Sequence, residues 1–163
     1  MTQPNGPQAG SSIDIDATPQ HVYELISDPG TLAELAAEYS DFRWLDGAAE
    51  AKVGARFKGT NKNGWRRWST VATITDATVA ERFAFDVTVE AGPLSVNGAR
   101  WQYDIAHTDT GCTLTESTWD QRAGWAKALG DLASGARDRA RQNQRNIETT
   151  LRAVKTRAES TNG

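Results

Sequence analysis

Apolar residues recur at helical spacing through residues 125–158, near the end of the chain. The stripe comprises Leu129, Leu132, Ala133, Ala136, Ala140, Ile147, Leu151, Val154 and Ala158. This spacing predicts one amphipathic helix, roughly 50 Å long at 1.5 Å per residue. The first half of the stripe consists largely of small residues, whereas large residues dominate the second half. We therefore expect a gap between the first half of the helix and the surface that it covers.

Before this helix, apolar and polar residues alternate with a period of two, from residue 42 to residue 119. That period is typical of strands with one buried face. Turn signals separate the runs at residues 63–64 (Asn-Gly), 92–93 (Gly-Pro) and 109–111 (Asp-Thr-Gly). Asn-Gly is a strong signal for a two-residue hairpin. The pattern predicts six consecutive strands in an antiparallel meander.

The N-terminal part of the chain predicts one strand and two short helices. Residues 12–17 alternate as a strand does, and Thr18 and Pro19 then suit the cap and first position of a helix. A second helix is expected over residues 31–38, with Thr31 as its cap. The order predicts an α+β helix-grip fold, in which a curved antiparallel sheet of about seven strands wraps around the long C-terminal helix.

Length and composition limit the organisation and the class of protein. The 163 residues suit a single domain, expected over residues 11–159, with disordered tails at residues 1–10 and 160–163. A net charge of −3 argues against general nucleic-acid binding. No apolar run approaches the ~20 residues of a membrane span, and no signal peptide is evident. We therefore predict a cytoplasmic protein.

The rarer residue types bear on cofactors and on the interior. One cysteine and two histidines supply too few ligands for a zinc site of the usual type. We therefore expect no metal and no other cofactor. Six tryptophans beside three tyrosines and four phenylalanines are unusual. They indicate a wide core or a cavity lined by aromatic side chains.

Seven short segments, in this order, resemble the START/Bet v 1-like (SRPBCC) superfamily, in particular its bacterial polyketide cyclase/dehydrase-like branch. The segments are 12–19 (SIDIDATP), 22–29 (VYELISDP), 53–61 (VGARFKGTN), 82–85 (RFAF), 101–103 (WQY), 113–117 (TLTES) and 149–155 (TTLRAVK). The resemblance implies a deep apolar cavity between the sheet and the long helix. It does not fix an activity, because this fold carries enzymes, carriers and proteins of no known role.

Two functions follow from the resemblance. The first is binding of a hydrophobic, aromatic or lipid-like small molecule in the cavity. The second is a polyketide cyclase, aromatase or dehydratase, which would act largely by holding a reactive chain in a folded pose. A third hypothesis, independent of the cavity, is a protein-interaction module that uses exposed tryptophans or the basic run along the last helix. A weak homodimer is also left open.

The candidate ligand-binding residues share the faces that alternation directs inward. They are Trp44, Phe57, Gly59, Asn61, Trp68, Thr70, Phe85, Trp101 and Tyr103 on the strands and Ala133 and Ala136 on the helix. The aromatic members form either flat walls for a ring system or ordinary core packing. Asn61 either binds a ligand carbonyl or caps the adjacent turn. Gly59 either admits a ligand or lets the strand bend.

Glu116 is the candidate catalytic residue. If Cys112 and Leu114 point to the concave face of the sheet, alternation places Glu116 there too. A carboxyl group in an apolar cavity has a raised pKa and can act as an acid or base. In the opposite register, Thr113, Thr115 and Ser117 face inward and Glu116 faces solvent.

Basic residues run along the last helix. They are Arg137, Arg139, Arg141, Arg145, Arg152, Lys155 and Arg157. The run either contacts an anionic partner or is a solvated outer face whose cations suit the C-terminal end of a helix. No aromatic residues interleave with it, as a surface for single-stranded nucleic acid requires.

Overall fold

The computed structural model describes residues 6–124, 127–128 and 138–161. Within them, seven strands form one sheet and three helices accompany it. The strands are β1 (Ala9–Ile15), β2 (Tyr39–Trp44), β3 (Arg56–Asn63), β4 (Arg66–Thr78), β5 (Arg82–Ala91), β6 (Leu94–His107) and β7 (Cys112–Asp120). The helices are α1 (Pro19–Ser27), α2 (Pro29–Leu35) and α3 (Arg139–Ser160).

The sheet is antiparallel throughout, in the order β1-β7-β6-β5-β4-β3-β2. Strands β2 to β7 form the predicted meander, and β1 adds to its far side by pairing with β7. The register shifts within the β2–β3, β4–β5 and β5–β6 pairs. Such irregularities bend a strand and increase its twist, so they help the sheet to curve. The architecture confirms the predicted α+β helix-grip fold.

The two short helices follow β1, as predicted. Thr18 caps α1, because its Oγ1 accepts a hydrogen bond from the backbone N–H of His21 at 3.2 Å. The second helix begins at Pro29, earlier than expected. Its cap is Asp28 rather than Thr31, since the Asp28 carboxylate accepts from the Thr31 N–H at 3.1 Å and from the Thr31 hydroxyl at 2.6 Å.

The first strand and the last helix differ from their predicted bounds. Strand β1 begins at Ala9, which is buried, three residues before the predicted start at residue 12. Helix α3 begins at Arg139, because its cap Asp138 has a non-helical backbone (φ −128°, ψ 82°), so the prediction of one unbroken helix over residues 125–158 is wrong; α3 ends at Ser160. No helix among the described residues is long and apolar enough to cross a membrane.

Helix α3 has one fully buried stripe, which packs against β1 and α1. Its Ile147, Val154 and Ala158 are 0% exposed and Leu151 is 2% exposed. These positions are the large half of the predicted stripe. Most of the small half, including the candidate residues Ala133 and Ala136, lies outside the described residues; Ala140 is the member of that half that α3 contains.

Candidate functional site

A cavity of about 720 Å³ lies between the concave face of the sheet and α3. Its volume is typical of sites for small organic molecules. Most of the sheet residues predicted to bind a ligand line it. These are Phe57, Asn61, Trp68, Thr70, Phe85, Trp101 and Tyr103.

The aromatic wall arises because inward positions of neighbouring strands lie side by side. Phe85 on β5 pairs with Trp101 on β6, and the rings of Phe57 and Phe85 lie 5.7 Å apart between centroids. Phe57 is almost fully buried, whereas Trp68 and Trp101 remain half-buried. The tryptophans therefore present ring surface that the core does not use.

Two predicted ligand contacts lie outside this wall. Trp44 packs edge-on against the rings of Phe42 and Phe57, with centroids 6.2 and 5.9 Å apart, and does not line the cavity. Gly59 does not line it either. A Cβ atom at position 59 would collide with the ring of Tyr39, so this glycine makes room for a side chain of the protein itself.

Asn61 lines the cavity, and its side chain bonds to the neighbouring strand rather than capping the adjacent turn; its contact with a ligand carbonyl stays a prediction. Its Nδ2 donates a hydrogen bond to Oγ1 of Thr70 at 2.9 Å, from β3 to β4. The two polar side chains thus partner each other within an otherwise aromatic wall. This pairing lowers the cost of holding both on the inner face of the sheet.

Glu116 faces inward with Cys112 and Leu114, so the first of the two registers is the one that forms. The side chain is 2% exposed and belongs to the cavity wall. Tyr103 lies directly across from it on β6 and donates a hydrogen bond from Oη to Glu116 Oε1 at 2.9 Å. The other carboxyl oxygen, Oε2, has no hydrogen-bond partner among the described residues.

This environment keeps Glu116 protonated. Burial raises its pKa from 4.5 to about 8, although the hydrogen bond from Tyr103 acts in the opposite direction. Burial and the neighbouring carboxyl group raise the pKa of Tyr103 well above its ordinary value, so the phenol keeps its proton. At neutral pH the pair therefore consists of a neutral acid and a neutral phenol.

Sequence reasoning missed the polar face that α3 presents to the cavity. Four of its residues, spaced at one turn of helix, line it: Arg139, Asn143, Asn146 and Thr150. Asn143 is 4% exposed; its Nδ2 donates to Gln8 Oε1 at 3.3 Å, and its Oδ1 has no partner among the described residues. The available signal was an asparagine within the apolar stripe, between Ala140 and Ile147.

An ion pair between Arg139 of α3 and Glu38 forms part of the cavity lining. Arg139 donates from Nη2 and Nη1 to the two carboxylate oxygens of Glu38, at 2.8 and 3.2 Å. Both side chains are more than four-fifths buried, and the guanidinium lies 5.9 Å from the ring centroid of Trp68. Part of the predicted basic run is thus committed to contacts within the protein, as Arg157 also is with Glu34 at 3.1 Å.

Tyr39 is another cavity residue that sequence reasoning missed. Its ring lies over Gly59 and 6.3 Å from that of Phe57. Its Oη is buried without a partner among the described residues. Burial raises the pKa of this phenol above its ordinary value, with Asp41 and Asp28 adding to the effect. Tyr39 is therefore a neutral group in the cavity wall.

A helix packed across a curved antiparallel sheet, with an aromatic cavity between them, defines the class as a helix-grip protein. The sequence profile described as "Polyketide cyclase / dehydrase and lipid transport" matches residues 8–159. The chain belongs to this family. Comparison with curated proteins gives no match.

Solved structures share the fold at low sequence identity. Polyketide_cyc-like protein Cgl2372 from Corynebacterium glutamicum is 24% identical, with a TM-score of 0.58 over 96% of this chain and 94% of that one. The di-domain ARO/CYC protein StfQ of the steffimycin biosynthetic pathway is 12% identical, with a TM-score of 0.71 over 94% of this chain and 51% of that one. Ara h 8.0201 is also 12% identical, with a TM-score of 0.66 over 93% and 96%. At these identities the likeness concerns the fold.

Proposed function

We propose that the protein encloses a hydrophobic, aromatic small molecule between the sheet and α3. One observation carries the proposal: the aromatic cavity of about 720 Å³ has in its wall a buried acid, one oxygen of which has no hydrogen-bond partner among the described residues. A core that served stability alone would gain by replacing such a group with an apolar one. The family description, which includes lipid transport, agrees with a binding role.

The wall residues have distinct roles in this proposal. The half-buried rings of Trp68 and Trp101 stack on the body of the ligand. Glu116, as a neutral acid, donates its proton in a hydrogen bond to a ligand oxygen, while Tyr103 holds the carboxyl group in place. The hydrogen bond fixes orientation, and the apolar contacts supply most of the affinity.

The neutral fluorophore N-phenyl-1-naphthylamine tests this proposal by fluorescence titration and native mass spectrometry. Val87 lines the cavity, whereas Val79 is 57% exposed in the turn after β4. Val87→Phe should reduce affinity at least tenfold because the added ring occupies ligand space. Val79→Phe is the matched control and should bind as the wild type does. Failure of the wild type to bind, or equal binding by both variants, would contradict the proposal.

The Glu116–Tyr103 pair favours a second candidate function, a cyclase, aromatase or dehydratase that acts on a polyketide-like chain. An acid with a pKa of about 8 holds a proton at neutral pH and can release it to a reacting oxygen. Glu116→Gln should abolish turnover of such a chain while leaving its binding within about threefold. Undiminished turnover by this variant would reject the catalytic role.

Three expectations from the sequence stay predictions: the cytoplasmic location, the lack of a cofactor and the weak homodimer. Sedimentation velocity over a hundredfold range of concentration would test the last of these. A single species of monomer mass at every concentration would exclude a dimer in that range.

A further inference from the structure

Two buried oxygens that have no hydrogen-bond partner among the described residues belong to side chains that line the same cavity. One is Oε2 of Glu116 on β7, and the other is Oη of Tyr39 on β2. A buried polar atom that lacks a hydrogen bond lowers stability, so native proteins contain few of them. Two in one cavity indicate hydrogen bonds that the protein leaves for a ligand.

These two oxygens come from distant parts of the sheet. Strands β6, β5, β4 and β3 lie between β7 and β2. At about 4.8 Å per strand, the path along the sheet is roughly 24 Å, and curvature brings the two ends closer across the cavity. The aromatic wall of Phe85 and Trp101 lies between them, because β5 and β6 are two of the intervening strands.

Each oxygen is held by a separate local arrangement. Tyr103 fixes the carboxyl group of Glu116 through its hydrogen bond of 2.9 Å. The ring of Tyr39 occupies the space left by the absent side chain of Gly59 and leans on Phe57. Both positions are therefore defined before a ligand arrives, which lowers the entropy cost of binding.

We propose that Glu116 and Tyr39 are two polar poles of the cavity, and that its ligand is a ring compound bearing an oxygen group at each end. The inference rests on the proposed binding function and narrows it to diols and hydroxyketones of flat ring systems. A fatty acid or another lipid with one polar end satisfies only one pole. Asn143 of α3 also lines the cavity, and its Oδ1, which has no partner within the described part of the chain, accepts a hydrogen bond from a ligand hydroxyl.

Matched phenols test the two-pole arrangement. The probes are 2-naphthol with 2,6-dihydroxynaphthalene, and 4-phenylphenol with 4,4′-dihydroxybiphenyl. Each pair differs by one hydroxyl group at the far end, and two lengths are sampled because the poles set the preferred length. Decanoic acid serves as the ligand with one polar end. Affinities are measured by calorimetry on the whole chain.

We expect at least one diol to bind the wild type about tenfold more tightly than its mono-ol. Tyr39→Phe should remove that advantage and change the affinity of the mono-ol less than threefold. Tyr23→Phe is the matched control, since Tyr23 is a buried tyrosine outside the cavity lining. It should leave both affinities unchanged. Glu116→Leu should lower the affinity for the diol. Glu116→Gln should lower it less, because the amide still offers a hydrogen bond to the ligand.

The outcomes separate this inference from the proposed function. If each diol and its mono-ol bind equally, and Tyr39→Phe changes neither, the cavity binds ligands but the two-pole inference is wrong. Tighter binding of decanoic acid than of every diol also overturns it. If no probe binds and N-phenyl-1-naphthylamine does not bind either, the proposed function itself fails.

Discussion

The interior of this protein has a sealed end and a hollow end, and the same sheet and helix build both. At the sealed end, Ile147, Leu151 and Val154 of α3 belong to one core with Ile15 and Leu114, and none is more than 2% exposed. At the hollow end, the polar residues of α3 face half-buried tryptophans across the cavity. One end therefore stabilises the fold, and the other surrounds the cavity in which we propose that a ligand binds.

The difference shows how one helix serves two purposes along its length. A turn that carries Arg139 and Asn143 gains little from burial, because polar groups give up hydration when they leave water. The turns from Ile147 onward bury apolar area, at roughly 25 cal/mol per Å². Substitutions at the two ends should therefore separate stability from binding, and the following predictions test that separation.

The largest expected effect is on the pH dependence of stability. The folded protein keeps the Glu116 proton up to a pKa of about 8, whereas the unfolded chain releases it near 4.5. Unfolding therefore releases a proton between these values, and stability falls as pH rises through this window. The shift corresponds to about 5 kcal/mol. Glu116→Gln should lack this component.

Urea unfolding of both proteins from pH 4 to pH 9 measures this effect. Other titrating groups contribute equally to both curves, so the difference between the curves isolates Glu116. A difference that does not change with pH would show that the carboxyl group is ionised in the folded protein.

The next largest effect is the loss of stability when a buried residue at the sealed end is truncated. Ile147→Ala should lower the free energy of unfolding by about 2–5 kcal/mol, since it leaves a cavity at a fully buried site. Asn146→Ala, one residue away on the cavity side, should cost less than about 1 kcal/mol. Below its melting temperature, the Ile147 variant should bind N-phenyl-1-naphthylamine as the wild type does. Equal losses of stability in the two variants would contradict the proposal that the buried end of α3 stabilises the fold more than the cavity end does.

A smaller loss of stability is expected from a substitution at Gly59, against which the ring of Tyr39 packs. Gly59→Ala places a methyl group against the Tyr39 ring, and overpacking of this kind costs about 1–3 kcal/mol. The displaced phenol should lose its contact with a diol, so the variant should bind diols no better than mono-ols. Chemical denaturation and calorimetry measure the two effects. A variant that keeps its preference for a diol would show that Gly59 does not position Tyr39.

The smallest expected change in stability is an increase rather than a loss. Asn143→Leu should raise stability by about 1 kcal/mol, because it removes a buried oxygen that no described residue partners. The same change should weaken binding of a hydroxylated ligand severalfold. Thermal melts and calorimetry test the combination. Lower stability would instead assign Asn143 a structural role through its bond to Gln8.

The fold followed from the sequence because its signals are local. Alternation placed Trp101 and Tyr103 on one face of a strand, and Thr18-Pro19 marked a helix start. The predicted two-residue hairpin also formed, shifted by one residue: Gly64, at a φ of +61°, and Trp65 connect the paired Asn63 and Arg66. Each of these patterns depends on neighbouring residues only, so the order of elements could be predicted.

The composition of the site depends on contacts between residues that are distant in the sequence, and one sequence alone does not reveal such contacts. The two registers of β7 looked equally suitable until pairing with β6 placed Glu116 beside Tyr103. Gly59 accommodates Tyr39, a residue twenty positions earlier, and Arg139 pairs with Glu38 over a separation of 101 residues. Tertiary contacts of this kind decide which polar groups are buried, and hence which ones belong to the cavity.

An NMR titration of methyl-labelled protein with 2,6-dihydroxynaphthalene shows directly where the ligand binds. A ligand in the cavity should cause large chemical-shift changes for Val87 and Val89, which line the cavity, and near-constant shifts for Val22, Ile26 and Val154 in the sealed core. Shift changes centred on exposed residues such as Val53 and Leu94 would place the ligand on the surface. That result, or no change at saturating ligand, would contradict a cavity-bound aromatic ligand.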